Sequence, residues 1–389
     1  MVTDNKKELA EKKVCIIRSN PVRPDSRVEK EAWTLKKAGY DVHILAWDRD
    51  TNIYETEDFI DVANVKIPIT RLGHKASFGE GLKNLRPYLA FQFHMRKWLK
   101  NNTFDVIHAC DFDTAFFSLS IAKEKSIKFV FDIFDFIFGD PQNFAQKLVK
   151  KAQLQIIDRA DATIICTEER KLQIKGSIPK QLAVIHNTPD ISQIDSENFS
   201  LEKSDKIRIV YVGILQDYRL LKEIAEVIAN SDKFELHIGG FGKYHSYFSQ
   251  LDATCENIFF YGKLNYKQTL ALERECDIML AVYDPSVENH RFAAPNKFYE
   301  SLMLGKPVVM AKGTGMSRIV EQNNLGVLID YSKEGFYHGI NELLKIKPQW
   351  ESIEQRMKNI YEKEYCWSEM EKRLLELYAG IIDEENTDC

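Results

Sequence analysis

The stretch HRFAAPNKFYESLMLGKPVVMA, residues 290–311, sets a cation and a carboxylate one turn apart at the start of an otherwise apolar helix. Phe298, Leu302 and Met303 form its inward face, and Pro307–Met310 reads as a buried strand after a glycine. Pro295 has a fixed φ and no N–H, which suits a first helical position. The free N–H groups of the next residues then favour an anion, and Lys297 adds charge to the same ligand. Glu300 is unhelpful to a phosphate but accepts two hydrogen bonds from a vicinal diol. A helix N-terminus, a lysine and a carboxylate together suit a nucleoside diphosphate with its ribose on Glu300. A solvated, salt-bridged first turn is the competing reading of the same residues.

A helix that presents such groups needs a sheet behind it. Short apolar runs recur at Val14–Ile17, Val42–Leu45, Val106–His108, Phe129–Phe131, Thr163–Ile165 and Leu182–Ile185, as strands buried on both faces of a parallel sheet do. Helical patterns such as SRVEKEAWTLKKAGY lie between them, this one ending near Gly39. At residue 206 the pattern restarts, KIRIVYVGILQ echoing the opening KKVCIIRSN. Runs at Ile258–Tyr261, Ile278–Ala281, Val308–Met310 and Val327–Ile329 complete a second sheet. The expected fold is α/β, with two doubly wound Rossmann-like domains facing a central cleft. The expected boundaries are 1–190 for a first domain, 191–205 for a polar linker and 206–365 for a second domain. Residues 366–389 are expected to form a terminal helix that packs back on the first domain.

Composition narrows the function classes. The chain has 389 residues, 44% hydrophobic and 29% charged, which is ordinary for a globular protein of two domains. A net charge of −5 gives no global attraction for nucleic acid, and no nucleic-acid module is recognisable. Cys15, Cys110, Cys166, Cys255, Cys276, Cys366 and Cys389 are scattered, with no C-x-x-C pair for a metal or redox centre. The opening MVTDNKKELAEKK has no apolar core, and no apolar run is long enough to span a bilayer. A reducing cytoplasm is the expected compartment, with any membrane contact peripheral.

PNKFYESLMLGKPVV resembles the P-N/S-K-x-x-E-x-x-x-x-G-K-P-V-V segment of GT-B retaining glycosyltransferases of family 4. DVIHACDFD, RADATIICTEE, VIHNTPD, IVYVGIL and LHIGGFG are similar to further family segments and follow in the family's order. The resemblance implies transfer of a sugar, with retention and no obligatory metal or cofactor, from a nucleotide donor such as a UDP- or GDP-sugar. It implies a donor site built from Gly213, Gly240, Phe292, Pro295, Asn296, Lys297 and Glu300. Ile214 stands where the family has a phosphate-binding arginine, so Arg219 or Lys222 becomes the substitute cation. Phe292 stands where the family carries a second glutamate, with Glu288 and Asp284 the nearest carboxylates. In the first domain, Arg27 matches the loop facing the donor phosphates and becomes a candidate stabiliser of the leaving group. Asp132 and Asp135 match the family pattern, but Phe134 replaces its histidine.

Asp111 and Asp113 form a D-x-D pair, read here as lining the acceptor side, where one takes the acceptor's proton, rather than as a metal site. His108 reads as a strand-end core histidine. Residues 81–104 carry Lys83, Arg86, Arg96, Lys97 and Lys100, no acid, and Tyr88, Phe91, Phe93 and Trp98. Such a basic aromatic helix reads as a membrane-surface element near a lipid-linked or glycan acceptor, or as a plain helix with aromatics inward. Lys147, Lys150 and Lys151 point the same way. The leading expectation is a glycosyltransferase of cell-surface polysaccharide or glycolipid synthesis, peripheral on the inner face of the membrane. A nucleotide-sugar 2-epimerase of the same fold and a nucleotide-binding pseudo-enzyme are the alternatives.

Overall fold

The computed structural model describes residues 12–76, 81–189 and 198–383, and the chain falls into two units. The first comprises Met1–Asn187 with Met370–Cys389, and the second Thr188–Glu369. Residues 191–197 of the expected linker lie outside the described residues.

The first unit runs β1 (Lys13–Arg18), α1 (Ser26–Ala38), β2 (Asp41–Asp48), β3 (Thr56–Val62), β4 (Val65–Gly73), α2 (Leu85–Asn101), β5 (Val106–Cys110) and α3 (Asp111–Glu124). It continues through β6 (Lys128–Ile133), α4 (Phe144–Arg159), β7 (Ala162–Ile165) and β8 (Leu182–Val184). Val14, Cys15, Ile16 and Ile17 of β1 are all fully buried, so helices cover both sheet faces. Asp25 caps α1 by accepting from the Val28 N–H, and Gly39, at φ 115, ends it. The strand order is β3-β4-β2-β1-β5-β6-β7-β8, parallel but for the β3–β4 hairpin.

Reading apolar runs passes over that hairpin for a physical reason. TEDFIDV is a half-solvated edge strand, where charges guard against stray pairing. Pro68 interrupts the run in β4, and Ala63 and Asn64 make the tight turn at φ 48 and 64.

The second unit runs β9 (Ile207–Ile214), α5 (Leu221–Ala229), β10 (Phe234–Phe241), α6 (His245–Thr254), β11 (Ile258–Phe260), α7 (Tyr266–Arg274) and β12 (Ile278–Ala281). It continues through α8 (Asn296–Leu304), β13 (Val308–Ala311), α9 (Ser317–Asn323), β14 (Gly326–Ile329), α10 (Lys333–Lys345) and α11 (Trp350–Ile360). Its six strands are parallel, in the order β11-β10-β9-β12-β13-β14. The last helix, α12 (Trp367–Asp383), belongs to the first unit from Met370 onward.

Both units are doubly wound Rossmann-like α/β sheets. Strand order reverses between β1 and β5 in the first and between β9 and β12 in the second. Ligands bind such sheets beyond the carboxyl ends of the strands at these points. The residues there are Arg18 with Asp111, and Gly213 with Tyr283.

Candidate functional site

In the second unit, α8 aims its first turn at the switch point. Pro295 caps α8 instead of opening its first turn, a correction to the sequence reading. Its ψ of 129 keeps it extended, while its carbonyl already accepts from the Phe298 N–H at 2.9 Å. Lys297 and Glu300 are both buried, at 9% and 2% exposure. The Lys297 Nζ lies 5.2 Å from the Tyr211 ring centroid. A Cβ on Gly213 would sit 3.4 Å from that Nζ and 3.2 Å from the Tyr211 hydroxyl, so a bare backbone leaves the lysine its room. Gly240, at φ 134, is needed more strictly. A Cβ there would come within 1.8 Å of the Gly213 carbonyl oxygen.

Burial alone would lower the Lys297 pKa, but the carboxylates of Glu300 and Glu273 outweigh it and raise it, so the lysine stays a cation. Glu273 on α7 is a residue the sequence reading missed. It is fully buried, and neither carboxylate oxygen has a hydrogen-bond partner among the described residues. Burial, then the Glu300 charge, raises its pKa well above the usual range. The signal was a glutamate three residues after Leu270, on the inward face of a short helix. The Tyr266 hydroxyl hydrogen-bonds to Glu300.

Of the two substitute cations, Arg219 joins this cluster. Its guanidinium stacks 3.9 Å from the Tyr283 centroid, bonds the Tyr218 carbonyl at 3.0 Å, and meets His290 Nε2 at 3.1 Å. It also bonds the Tyr211 hydroxyl. Lys222 instead lies over the rings of Tyr244 and Tyr247, at 4.4 and 5.3 Å. Ile214 is exposed, Asn296 is exposed at the start of α8, and Phe292 is half-buried at the end of the turn Glu288–Phe292. Asp284 accepts from the Ser286 N–H at 2.8 Å, which ties it to its own loop.

In the first unit, a cleft of about 500 Å³ at the switch point is lined by Arg18, Asn20, Arg49, Asp111, Asp113 and Asp135 among others. Asp111 is a pin. Its Oδ1 accepts from the N–H groups of Phe134 and Asp135 at 2.9 and 3.0 Å, and its Oδ2 accepts from Arg18. Burial raises its pKa to about 6 against the pull of Arg18. Asp113 is held more lightly, by Ser19 and the Thr114 N–H, and burial raises its pKa too.

Arg27 does not face this cleft. It is 3% exposed and spends its guanidinium on Glu31 at 3.1 Å and Asp132 at 2.5 Å, so the cleft receives Arg18 and Arg49 instead. Phe134 explains how two arginines tolerate each other. Its ring lies 4.2 Å from the Arg18 Cζ and 4.4 Å from the Arg27 Cζ, offering both its electron-rich face.

Beneath Arg27, the buried carboxyls of Glu31 and Asp132 both meet its guanidinium, and burial raises the pKa of each. His108 Nε2 faces both, at 3.7 and 3.5 Å, while its Nδ1 meets the Tyr378 hydroxyl at 2.9 Å. Burial lowers the His108 pKa to about 4, so it is the neutral core histidine expected. Burial, then Asp132, pushes Glu31 up to about 7. Such a raised value means a contribution fully present below about 4.5 and lost as pH rises through 7. Glu31→Gln keeps the neutral form's shape and has no proton to lose. Its unfolding free energy should therefore gain about 1–3 kcal/mol on wild type between pH 5 and 8, read by urea titration. Parallel pH profiles would refute the raised Glu31 pKa.

In the basic stretch 81–104 most aromatics turn inward, the second of the two expected readings. Phe91 is fully buried and stacks 5.0 Å from Trp47, and Tyr88 and Trp98 pack against Phe117 and Phe104. Of the four aromatics only Phe93 stands in solvent, at 66% exposure. Lys100 pairs with Glu124 at 3.1 Å, whereas Arg86, Arg96 and Lys97 form no ion pair among the described residues. No described helix is long and apolar enough to cross a membrane.

Two family models match the chain in succession: Glycosyltransferase Family 4 over residues 27–193 and Glycosyl transferases group 1 over residues 206–345. No curated protein matches it in sequence. Among solved structures it is similar to a sucrose-phosphate synthase from Thermosynechococcus elongatus, at TM-score 0.75 and 13% identity over 96% of this chain and 100% of that one. It is similar to Anabaena HepE in complex with UDP and glucose, at TM-score 0.68 and 14% identity over 95% and 100%. A putative UDP-N-acetylglucosamine 2-epimerase from Listeria monocytogenes follows at TM-score 0.61 and 14% identity over 97% of each chain. At these identities the likeness is one of fold. With both family models matched in order on two Rossmann-like units, the chain belongs to the GT-B glycosyltransferases.

Proposed function

We propose that the chain moves a sugar, with retention, from a nucleoside-diphosphate sugar to a hydroxyl of a lipid-linked or glycan acceptor, in polysaccharide or glycolipid synthesis on the cytoplasmic side of a membrane. The observation that carries this reading is Lys297, kept charged while buried at the N-terminus of α8, with Glu300 one turn on. The α8 N–H groups, Lys297 and Arg219 receive the diphosphate and neutralise it as it leaves, without a metal ion. Asn296 and the half-buried Phe292 border the donor there, beside Gly213 and Gly240, and Lys222 stands further out. Glu300 receives the ribose diol in place of the Tyr266 hydroxyl it now bonds. The bond from the sugar's anomeric carbon to the diphosphate breaks, and the acceptor oxygen bonds that carbon on the face the diphosphate leaves, which keeps its configuration. The acceptor's proton passes to Asp113, the less tied of the two cleft aspartates, with Asp111 and Arg18 fixing the cleft. HepE was solved with UDP and with UDP-glucose, which makes uridine donors the first to try.

Calorimetric titration with UDP, GDP, ADP and dTDP tests the donor site, and Glu300→Ala should weaken the preferred nucleotide by about 1–3 kcal/mol. Unchanged affinity would remove Glu300 from the ribose. Incubation with nucleotide sugars then separates transfer and slow hydrolysis from epimerisation and from binding alone. Transfer should survive EDTA; loss restored by manganese would overturn the metal-free reading.

A further inference from the structure

On one face of the first sheet, large apolar side chains stand in solvent beside unpaired cations. The crossovers β4–β5, β5–β6 and β6–β7 all advance in one direction, so α2, α3 and α4 lie on the same face, each packed on the next. On α2, Leu85, Leu89 and Phe93 recur every four residues and are exposed, opposite the buried Phe91, Met95 and Leu99. On α4, Phe144 and Leu148 are exposed, Phe144 at 75%, opposite the buried Ile156 and Ile157. Phe116, exposed on α3, lies between the two stripes.

The charges on α2 and α4 are nearly all positive, while α3 turns Asp111 and Asp113 to the cleft and pairs its Glu124 with Lys100. α2 carries no acidic residue, and α4 none before Asp158. Arg86, Arg96, Lys97, Lys147 and Lys151 form no ion pair among the described residues. The chain as a whole carries −5, so this face opposes the net charge. A two-fold dimer through it would set cations against cations, because such an interface uses the same patch twice.

We propose that the outer face of α2, α3 and α4 docks on an anionic lipid bilayer, with Leu85, Leu89, Phe93, Phe144 and Leu148 entering the headgroup–acyl boundary. Arg86, Arg96, Lys97, Lys147 and Lys151 hold the anionic headgroups around them. Apolar insertion provides the part of the affinity that salt leaves intact, and the cations the part that salt screens. The inference rests on the proposed lipid-linked acceptor only for its purpose, since residue exposure and charge carry it.

The test is sedimentation of the full chain with vesicles of phosphatidylcholine, alone or mixed with phosphatidylglycerol. Wild type should pellet with the mixed vesicles and remain in solution with phosphatidylcholine alone. The triple variant Leu89→Ser, Phe93→Ser, Phe144→Ser should partition at least about tenfold more weakly, as lost apolar burial predicts. Arg96→Glu with Lys97→Glu should release the protein at low salt. Wild type that ignores anionic vesicles at low salt would overturn the proposal, as would a triple variant that pellets like wild type. A lipid-free dimer dispersed by the triple variant would overturn it in favour of a second copy of the chain. Vesicle binding by a protein that glycosylates no lipid-linked hydroxyl would leave the docking face standing and end the acceptor reading. Lipid glycosylation without vesicle binding would do the reverse.

Discussion

Lys297→Met is expected to weaken nucleotide binding by one to two orders of magnitude and to lower transfer with it. A charge-assisted contact to a phosphate contributes about 1.5–3 kcal/mol, so affinity should fall by roughly ten- to a hundredfold. The same change strips the cation from two buried carboxylates, Glu300 and Glu273. Breaking a buried ion pair from one side costs about 3–5 kcal/mol, so the variant should also melt early. The two effects part in the double variant Lys297→Met with Glu273→Gln. Replacing the second carboxyl with a neutral amide should restore part of the stability, because burial and the Glu300 charge both oppose a charge on Glu273. It should restore none of the affinity. Calorimetry and urea unfolding read the two quantities on one preparation. Nucleotide affinity that returns in the double variant would reduce Lys297 to a structural counter-charge.

Arg27→Met is expected to act on stability and to spare turnover. Its guanidinium is the only cation within salt-bridge reach of Glu31 and Asp132 among the described residues, apart from the neutral His108. Without it, two carboxyls in a dry core have no counter-charge, at about 3–5 kcal/mol. Arg18→Ala should do the opposite. Arg18 reaches the cleft and pins Asp111, so its loss should lower kcat by more than it lowers the urea midpoint. An Arg27→Met protein with wild-type stability and no activity would return Arg27 to the leaving group.

That reversal marks where sequence reasoning ran out. Repeated apolar runs gave most of both sheets, because strands buried on two faces leave a trace that needs no partner to be read. The hairpin β3–β4 left none, being half solvated, charged and interrupted by Pro68. The same division holds for the site. Lys297 and Glu300 were legible because their types clash with the apolar helix that carries them. Glu273 and the two stripes on α2 and α4 were not, since their meaning depends on which helical face the sheet covers. Arg27 was misread for the same reason. A resemblance can locate a residue in the chain, but the direction of its guanidinium is decided by Asp132, more than a hundred residues away.

The membership of α12 bears on how this protein is made. The first unit is assembled from two stretches of chain that are separated by the whole of the second. Four of its attachments are supplied by the late stretch: Met370 to the His186 N–H, Glu371 to Thr34, Arg373 to the Val184 carbonyl, and Tyr378 to His108. On the ribosome, then, the N-terminal sheet waits incomplete while the second unit is translated, a delay on the order of ten seconds. During that interval His108 lacks its hydroxyl partner and the α1 flank of the sheet is open to chaperones. The second unit, continuous in the chain, can finish before the first.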